Sequence, residues 1–227
     1  MHTVLKKQLA SFLWPRFSSS VEAINRNAQM FTSIREYERG TVERCMTRHE
    51  MYAWVSRRLT NLPIDYLEFG VWKGESLRAW SGLNTNSDSR FFGFDSFEGL
   101  PETWDHGFGH FTAKTQFDLK GQTPAISDSR VKLVKGWFQH TLRTFLRDTP
   151  LRHPIVIHID CDLHSSALYT LSTLDPFLNA GDIVLFDEYT SPSNEYLAWE
   201  EYKRAFLRKA ECLASSDRWS QVAFALV

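Results

Sequence analysis

The residues of this sequence best suited to chemistry are carboxylates that follow short apolar runs. Leu67-Glu68-Phe69 leads into Gly70-Val71-Trp72-Lys73-Gly74-Glu75-Ser76, and Phe91 to Phe94 ends at Asp95. Ile155 to Ile159 ends at Asp160, with Asp162 and His164 just beyond, and Ile183 to Phe186 ends at Asp187-Glu188. Gly70 permits a sharp turn and Gly74 a close approach. A helix opening near Gly74 would aim free amides at a phosphate or an amino-acid carboxylate. An acid roughly 20 residues or somewhat more beyond such a turn, as Asp95 is, can accept hydrogen bonds from both vicinal hydroxyls of a ribose, and it would repel a 2′-phosphate. A plain strand–helix connection and a turn-capping Asp95 are the structural alternatives.

Asp160, Asp162, Asp187 and Glu188 would crowd one edge if their two strands are neighbours. Unpaired, they would repel one another and some would hold protons at neutral pH. A divalent cation removes that conflict, and hard oxygen ligands select Mg²⁺, Ca²⁺ or Mn²⁺. The competing reading has Asp162 capping the next helix while Asp187 and Glu188 face water.

These ends need strands to carry them. Apolar runs predict strands at 64–69, 91–94, 131–134, 155–159, 183–186 and 221–227. Helical spacing predicts helices over 42–59, from 74 to about 80, 136–146, 165–178 and 195–213, the last from Tyr196, Trp199, Tyr202 and Phe206. Strands alternating with helices imply an α/β fold, a mostly parallel sheet with helices on both faces, and ligands in such a sheet bind outside the carboxyl ends. Leu5, Leu9, Phe12 and Leu13 share one helical face ahead of Pro15, which suits docking on the domain or on a second copy in a homo-oligomer. Residues 18–40 are polar and weakly patterned. The segment from Ser96 to Asp128 has no clean period, and Trp104 to Phe111, with His106 and His110, is expected to fold over the cleft. The natural division is an N-terminal helical extension, 1–60, and a ligand-binding domain, 61–227.

Composition narrows the class. The formal net charge is −1, so nucleic acid is not an expected partner. Cys45, Cys161 and Cys212 are odd in number and far apart, which fits a reducing cytoplasm better than a disulfide framework. The first residues lack the apolar core of a signal peptide, and no apolar run approaches a membrane span.

The block Tyr66 to Ser76 resembles motif I of the macrocin O-methyltransferase family, which methylates sugar hydroxyls on macrolide and aminocoumarin antibiotics. Phe94 to Pro101, Gly136-Trp137-Phe138 with Thr141-Leu142, Asp160-Cys161-Asp162 and Asp187-Glu188-Tyr189 are similar to its further signatures, in the right order over about residues 60–205. The resemblance implies a Rossmann-like class I methyltransferase fold with S-adenosylmethionine as cofactor. Glu68, Gly70, Val71 and Gly74 would then frame the methionine part, with Ser76 near its carboxylate, and Asp95 would hold the ribose. Ser96 and Phe97 would lie beside the adenine, with Gly136, Trp137 and Phe138 on its far side. Asp160 would border the cofactor and, with Asp187 and Glu188, hold Mg²⁺. Asp162 would be the general base. The chain departs from the family pattern in having Glu188 for Asp, Cys161 for Gly, and Leu163-His164-Ser165-Ser166-Ala167 after Asp162.

The implied reaction is in-line methyl transfer to a hydroxyl of a small molecule, a sugar of a glycosylated natural product or of a surface glycan, with cation assistance. The base is Asp162, with His164 second. Competing readings are a catechol-type O-methyltransferase, a non-catalytic S-adenosylmethionine-binding protein, and a nicotinamide-dependent oxidoreductase. The G-x-x-x-G turn opposes the last, which uses G-x-G-x-x-G.

Overall fold

The computed structural model describes residues 21–107 and 110–227. The amphipathic segment before Pro15 lies outside them. Residues 21–37 are helical and are called α1. There follow β1 (Glu43–Cys45), α2 (Arg48–Arg58), β2 (Asp65–Phe69), α3 (Glu75–Leu83) and β3 (Arg90–Asp95). Next come β4 (Trp104–Gly107), β5 (His110–Thr112), β6 (Val131–Lys135), α4 (Phe138–Asp148) and β7 (Ile155–Ile159). The chain ends with α5 (His164–Leu174), β8 (Ile183–Phe186), α6 (Glu195–Ala205), β9 (Ala210–Ser216) and β10 (Gln221–Leu226).

Eight strands form one sheet in the order β1-β9-β10-β8-β7-β2-β3-β6, and β4 with β5 makes a separate hairpin. The pairs from β8 through β7, β2 and β3 to β6 are all parallel, whereas β10 runs antiparallel to both β8 and β9. Every residue of β2, β7 and β8 is buried, as strands covered on both faces must be. One core layer packs Met30 of α1, Leu142 of α4, Leu171 of α5 and Trp199 of α6 on Leu67, Phe69 and Ile157. The other packs Tyr52 of α2 and Trp80 of α3 on Tyr66 and Val156. Neighbouring strand residues thus serve opposite layers.

Several expected boundaries move. The helix expected over 42–59 is a short strand followed by α2. β1 pairs with β9 at the sheet edge, so the sheet draws a strand from ahead of residue 60. Thr47 then caps α2 by accepting from the Glu50 amide at 3.2 Å, and Glu50 reaches back to the Met46 amide at 2.8 Å. The weakly patterned 18–40 segment contains α1, held by Met30 and Ile34 in the core. The helix expected over 195–213 stops at Ala205. Leu207 adopts φ 54° and Arg208 is tied to Asp175 at 2.7 Å, which turns the chain into β9. The aromatic spacing was a true helical signal, but Leu213 belongs to a strand. No helix among the described residues is long and apolar enough to cross a membrane.

The carboxyl ends of the parallel strands stay in register one residue past each strand. The Gly136 amide donates to Asp95 O, Gly70 to Phe94 O, Asp160 to Phe69 O and Asp187 to Ile159 O, all at 2.9–3.0 Å. That ladder brings the exits of β6, β3, β2, β7 and β8 along one edge.

Candidate active site

A cleft opens over this edge. Its wall includes Gly70, Val71, Ser76, Asp95, Ser96, Trp137, Phe138, Asp160, Asp162, Asp187 and Glu188, all expected from the sequence. Glu68, Gly74, Phe97, Gly136 and His164 stand behind or beside that wall. Arg48, Trp72, Leu100, Phe117 and Ser166 also line it and were not foreseen, whereas Trp104 comes from the loop expected to fold over the cleft.

Gly70 is where the sheet and the turn meet. Its φ is +94°, and a Cβ there would stand 1.7 Å from the carbonyl oxygen of Asp160. Only glycine lets the β2 exit pass so close to the β7 exit. Gly74, at φ 76°, is the N-cap of α3 and offers no side-chain cap. Between them, Asp95 pins the turn. Its Oδ2 accepts from the Val71 and Trp72 amides at 2.8 Å each, and its Oδ1 from the Phe97 amide at 2.7 Å. Asp95 is therefore at the cleft but already engaged on three sides. A single ribose hydroxyl bond to the remaining lone pair of Oδ1 fits; the pair of bonds expected from the sequence does not fit without movement of the turn.

Glu68 is fully buried and faces inward rather than onto the cleft. It accepts from Tyr66 Oη at 2.7 Å and Ser76 Oγ at 2.9 Å. It also lies 3.5 Å from His158 Nδ1. Beneath the acidic edge, His158 bonds Tyr66 Oη through Nδ1 at 2.8 Å, and its Nε2 is 3.8 Å from Asp187 Oδ1. Burial alone would lower the His158 pKa, but its hydrogen bonds to Asp187 and Glu68 outweigh burial and raise it to about 10. Asp187 also accepts from Tyr52 Oη at 3.3 Å and pairs with Arg48 at 3.5 Å. Burial works against its ionisation, yet His158 and Arg48 hold its carboxyl below the usual range.

Among the described residues the other acids have no such hydrogen-bonded partners, and the more distant charges of His158 on Asp160 and Arg48 on Glu188 do not offset burial. Desolvation, then the charge of Asp187, pushes Asp160 well above the ordinary carboxylate range. Burial, then Glu188 and Asp187, lifts Asp162 to about 8, and burial, then Asp187, lifts Glu188 to about 7. A divalent cation would reverse the penalty at this edge. Among the described residues, the metal-type ligand atoms lying within 4.8 Å of one another belong to His158, Asp160 and Asp187. Glu188 is on the cleft wall but not in that group. Two of the three atoms are carboxylate oxygens of residues that line the cleft, which suits a hard cation that keeps waters.

Two further features shape the edge. Glu195, the first residue of α6, is fully buried. Its Oε1 accepts from the Cys161 and Asp162 amides at 3.1 and 3.2 Å, and its Oε2 from the Glu188 amide at 3.0 Å. It clamps the two acid-bearing exits together. Asp162 sits at φ 64°, a strained setting for a residue with a Cβ, and Trp72 and Phe97 share that left-handed region at 45° and 58°. His164 points away from the cleft: as the first residue of α5 it bonds Glu201 on α6 at 2.7 Å. The β4–β5 hairpin brings Trp104 onto the cleft wall. Asn194 holds the hairpin by donating to Asp105 O at 2.8 Å, and Ser165 donates to Glu102. The indole N–H of Trp104 is buried with no partner among the described residues.

The sequence model of the macrocin-O-methyltransferase family, TylF, matches residues 43–218. The chain is 28% identical over 163 residues to the demethyldecarbamoylnovobiocin O-methyltransferase of Streptomyces niveus. That match covers 64% of this chain and 60% of the relative, so the chain spans under two thirds of that protein's length. Among solved structures, the O-methyltransferase NovP superposes with a TM-score of 0.57 at 26% identity over 78% of each chain. CalS11, described as a calicheamicin methyltransferase, gives 0.61 at 23% identity over 79% of this chain and 80% of its own, a likeness of fold. The mostly parallel, mixed sheet of eight strands with helices on both faces has the class I methyltransferase fold.

Proposed function

The chain belongs to the macrocin O-methyltransferase family, and from that premise we propose that it is an S-adenosylmethionine-dependent O-methyltransferase acting on a hydroxyl of a small molecule, with a sugar as the first candidate. The observation that carries this reading is the meeting of two chemistries in one cleft. The Gly70 turn pinned by Asp95 stands directly beside Asp160 and Asp162, acids with no side-chain hydrogen-bond partner among the described residues.

Bound there, S-adenosylmethionine would supply an electrophilic methyl group, and a divalent cation would supply the Lewis acidity that eases loss of the acceptor's proton. The chain's own residues do the rest. Trp137, Phe138, Leu100 and Phe117 offer flat and apolar walls for an adenine. Asp95 offers Oδ1 to a ribose hydroxyl. Asp160 and Asp187 are the first ligands for a cation, with Glu188 on the same wall. Asp162 takes the acceptor's proton, since His164 is committed to Glu201. The hairpin residue Trp104 walls the acceptor side and excludes water.

Titration calorimetry with S-adenosylhomocysteine tests the cofactor reading, and mass spectrometry of a panel of glycosides and catechols incubated with S-adenosylmethionine tests the transfer. Methylation of catechols but not glycosides would favour a catechol-type enzyme. Cofactor binding with no transfer to any acceptor would favour a non-catalytic binding protein. Absence of cofactor binding would overturn the proposal. A cytoplasmic setting and a homo-oligomer built through the N-terminal helices complete the proposal, with residues 61–227 as the body of a catalytic domain that also takes in β1 and α2.

A further inference from the structure

Carboxylates outnumber cations on the cleft wall, where the cations are Arg48 and Lys73. S-adenosylmethionine carries two positive groups, its sulfonium and its ammonium, which such a wall welcomes. It also carries one carboxylate, which the wall would repel unless a cation meets it. Lys73 is exposed and stands over the exposed Trp72 ring, 4.3 Å from its centroid. Arg48 is partly buried, at the first turn of α2. Its Nη2 is 3.3 Å from Glu75, the first residue of α3, and its Nη1 is 3.5 Å from Asp187, just past β8. The guanidinium therefore spans from the glycine turn to the acidic edge, alongside Gly70 and Ser76.

Both of its ion pairs are long and single. A guanidinium has five N–H donors in a planar fork that matches a carboxylate with two parallel bonds. Neither Glu75 nor Asp187 takes that fork.

Resting on the cofactor reading above, we propose that Arg48 is the residue that recognises the carboxylate of the cofactor's amino-acid tail. It acts from a helix outside the glycine turn. Its pairing with Asp187 also joins cofactor recognition to the acidic edge, because the same cation serves both.

The test compares two probes. S-adenosylhomocysteine has the amino-acid tail; 5′-methylthioadenosine has the same adenosine and thioether without it. Calorimetry on the full chain should show Arg48→Ala weakening S-adenosylhomocysteine by about 10- to 100-fold, the range of a lost charge-assisted pair. Affinity for 5′-methylthioadenosine should stay within about threefold. Arg48→Gln, which keeps length and packing, should behave as Arg48→Ala, and Arg48→Lys should recover part of the loss. Unchanged S-adenosylhomocysteine affinity in Arg48→Gln would overturn the assignment, as would an equal loss for both probes, which would make Arg48 a support for Asp187 only. If the unaltered chain binds neither probe, the cofactor reading falls and this inference with it. If it binds 5′-methylthioadenosine but not S-adenosylhomocysteine, the cofactor reading falls as well; an unaltered chain that binds S-adenosylhomocysteine while Arg48→Gln binds it equally tightly overturns this inference alone.

Discussion

The carboxylate of Glu195 lies 3.2 Å from the backbone nitrogen of Asp162, 33 residues earlier in the chain. Through its second oxygen the same carboxylate holds the Glu188 amide. One buried side chain thus sets the spacing of the β7 and β8 exits and fixes Asp162 in its left-handed turn. Glu195→Gln can accept at one exit only, since its amide nitrogen meets the other as donor against donor. We expect a stability loss of about 1–3 kcal/mol, the scale of a buried group left unpaired, read as a lower midpoint in chemical denaturation. An unchanged midpoint would show that the clamp holds nothing. S-adenosylhomocysteine affinity should stay within about threefold, because Glu195 makes no bond to the glycine turn.

Asp95 accepts from Val71, Trp72 and Phe97, so it shapes the turn as well as facing the cleft. Asp95→Ala should weaken S-adenosylhomocysteine about tenfold or more from an affinity on the order of micromolar. Asp95→Asn, which retains one acceptor oxygen, should lose less. Calorimetry on both variants decides it. An alanine variant that binds like the parent would remove Asp95 from the cofactor site.

The acidic edge is tested by cation addition. Mg²⁺ should raise the melting temperature of the parent chain and leave that of Asp160→Asn unmoved, because only a cation bound to the folded state shifts the transition. Excess chelator should abolish methyl transfer while leaving cofactor binding nearly intact, since the cofactor rests on the β2 and β3 exits. Full-rate transfer in chelator would rule out a metal role for Asp160 and Asp187 and leave Asp162 to carry proton removal alone.

Much of this edge was legible in the sequence because doubly covered strands read as unbroken apolar runs. A glycine or an aspartate marks where each run stops. Gly70, Asp160 and Asp187 stand one residue past their strands, and Asp95 is the last residue of its own. Side-chain direction was less legible. Glu68 precedes Gly70 by two residues, yet it turns inward to Tyr66 and Ser76. His164 comes two residues after Asp162, yet the start of α5 swings it to Glu201. Arg48 and Glu195 were missed for another reason. Their bonds reach across 139 and 33 residues, and nothing local marks a residue whose partners arrive through the sheet. Glu195 did sit at the head of the Tyr196–Trp199–Tyr202 stripe, where an acid reads as an ordinary helix start.

Gly70 offers a test with its own control. Gly70 and Gly181 have nearly the same φ, +94° and +93°. An added Cβ at Gly181 meets nothing within 4 Å, whereas at Gly70 it would stand 1.7 Å from Asp160 O. Gly181→Ala therefore measures the conformational cost alone, about 1–2 kcal/mol for a side chain in the left-handed region. Gly70→Ala adds a collision between two backbones, which neither a rotamer change nor a flexible side chain can relieve. The β7 exit must move, and Asp160 with it. We expect Gly70→Ala to be clearly less stable than Gly181→Ala in chemical denaturation and to lose both cofactor affinity and any Mg²⁺-dependent rise in melting temperature. Gly181→Ala should keep both. Equal destabilisation by the two substitutions, with cofactor binding preserved in each, would show that the close passage of the β2 and β7 exits is not what organises the cleft.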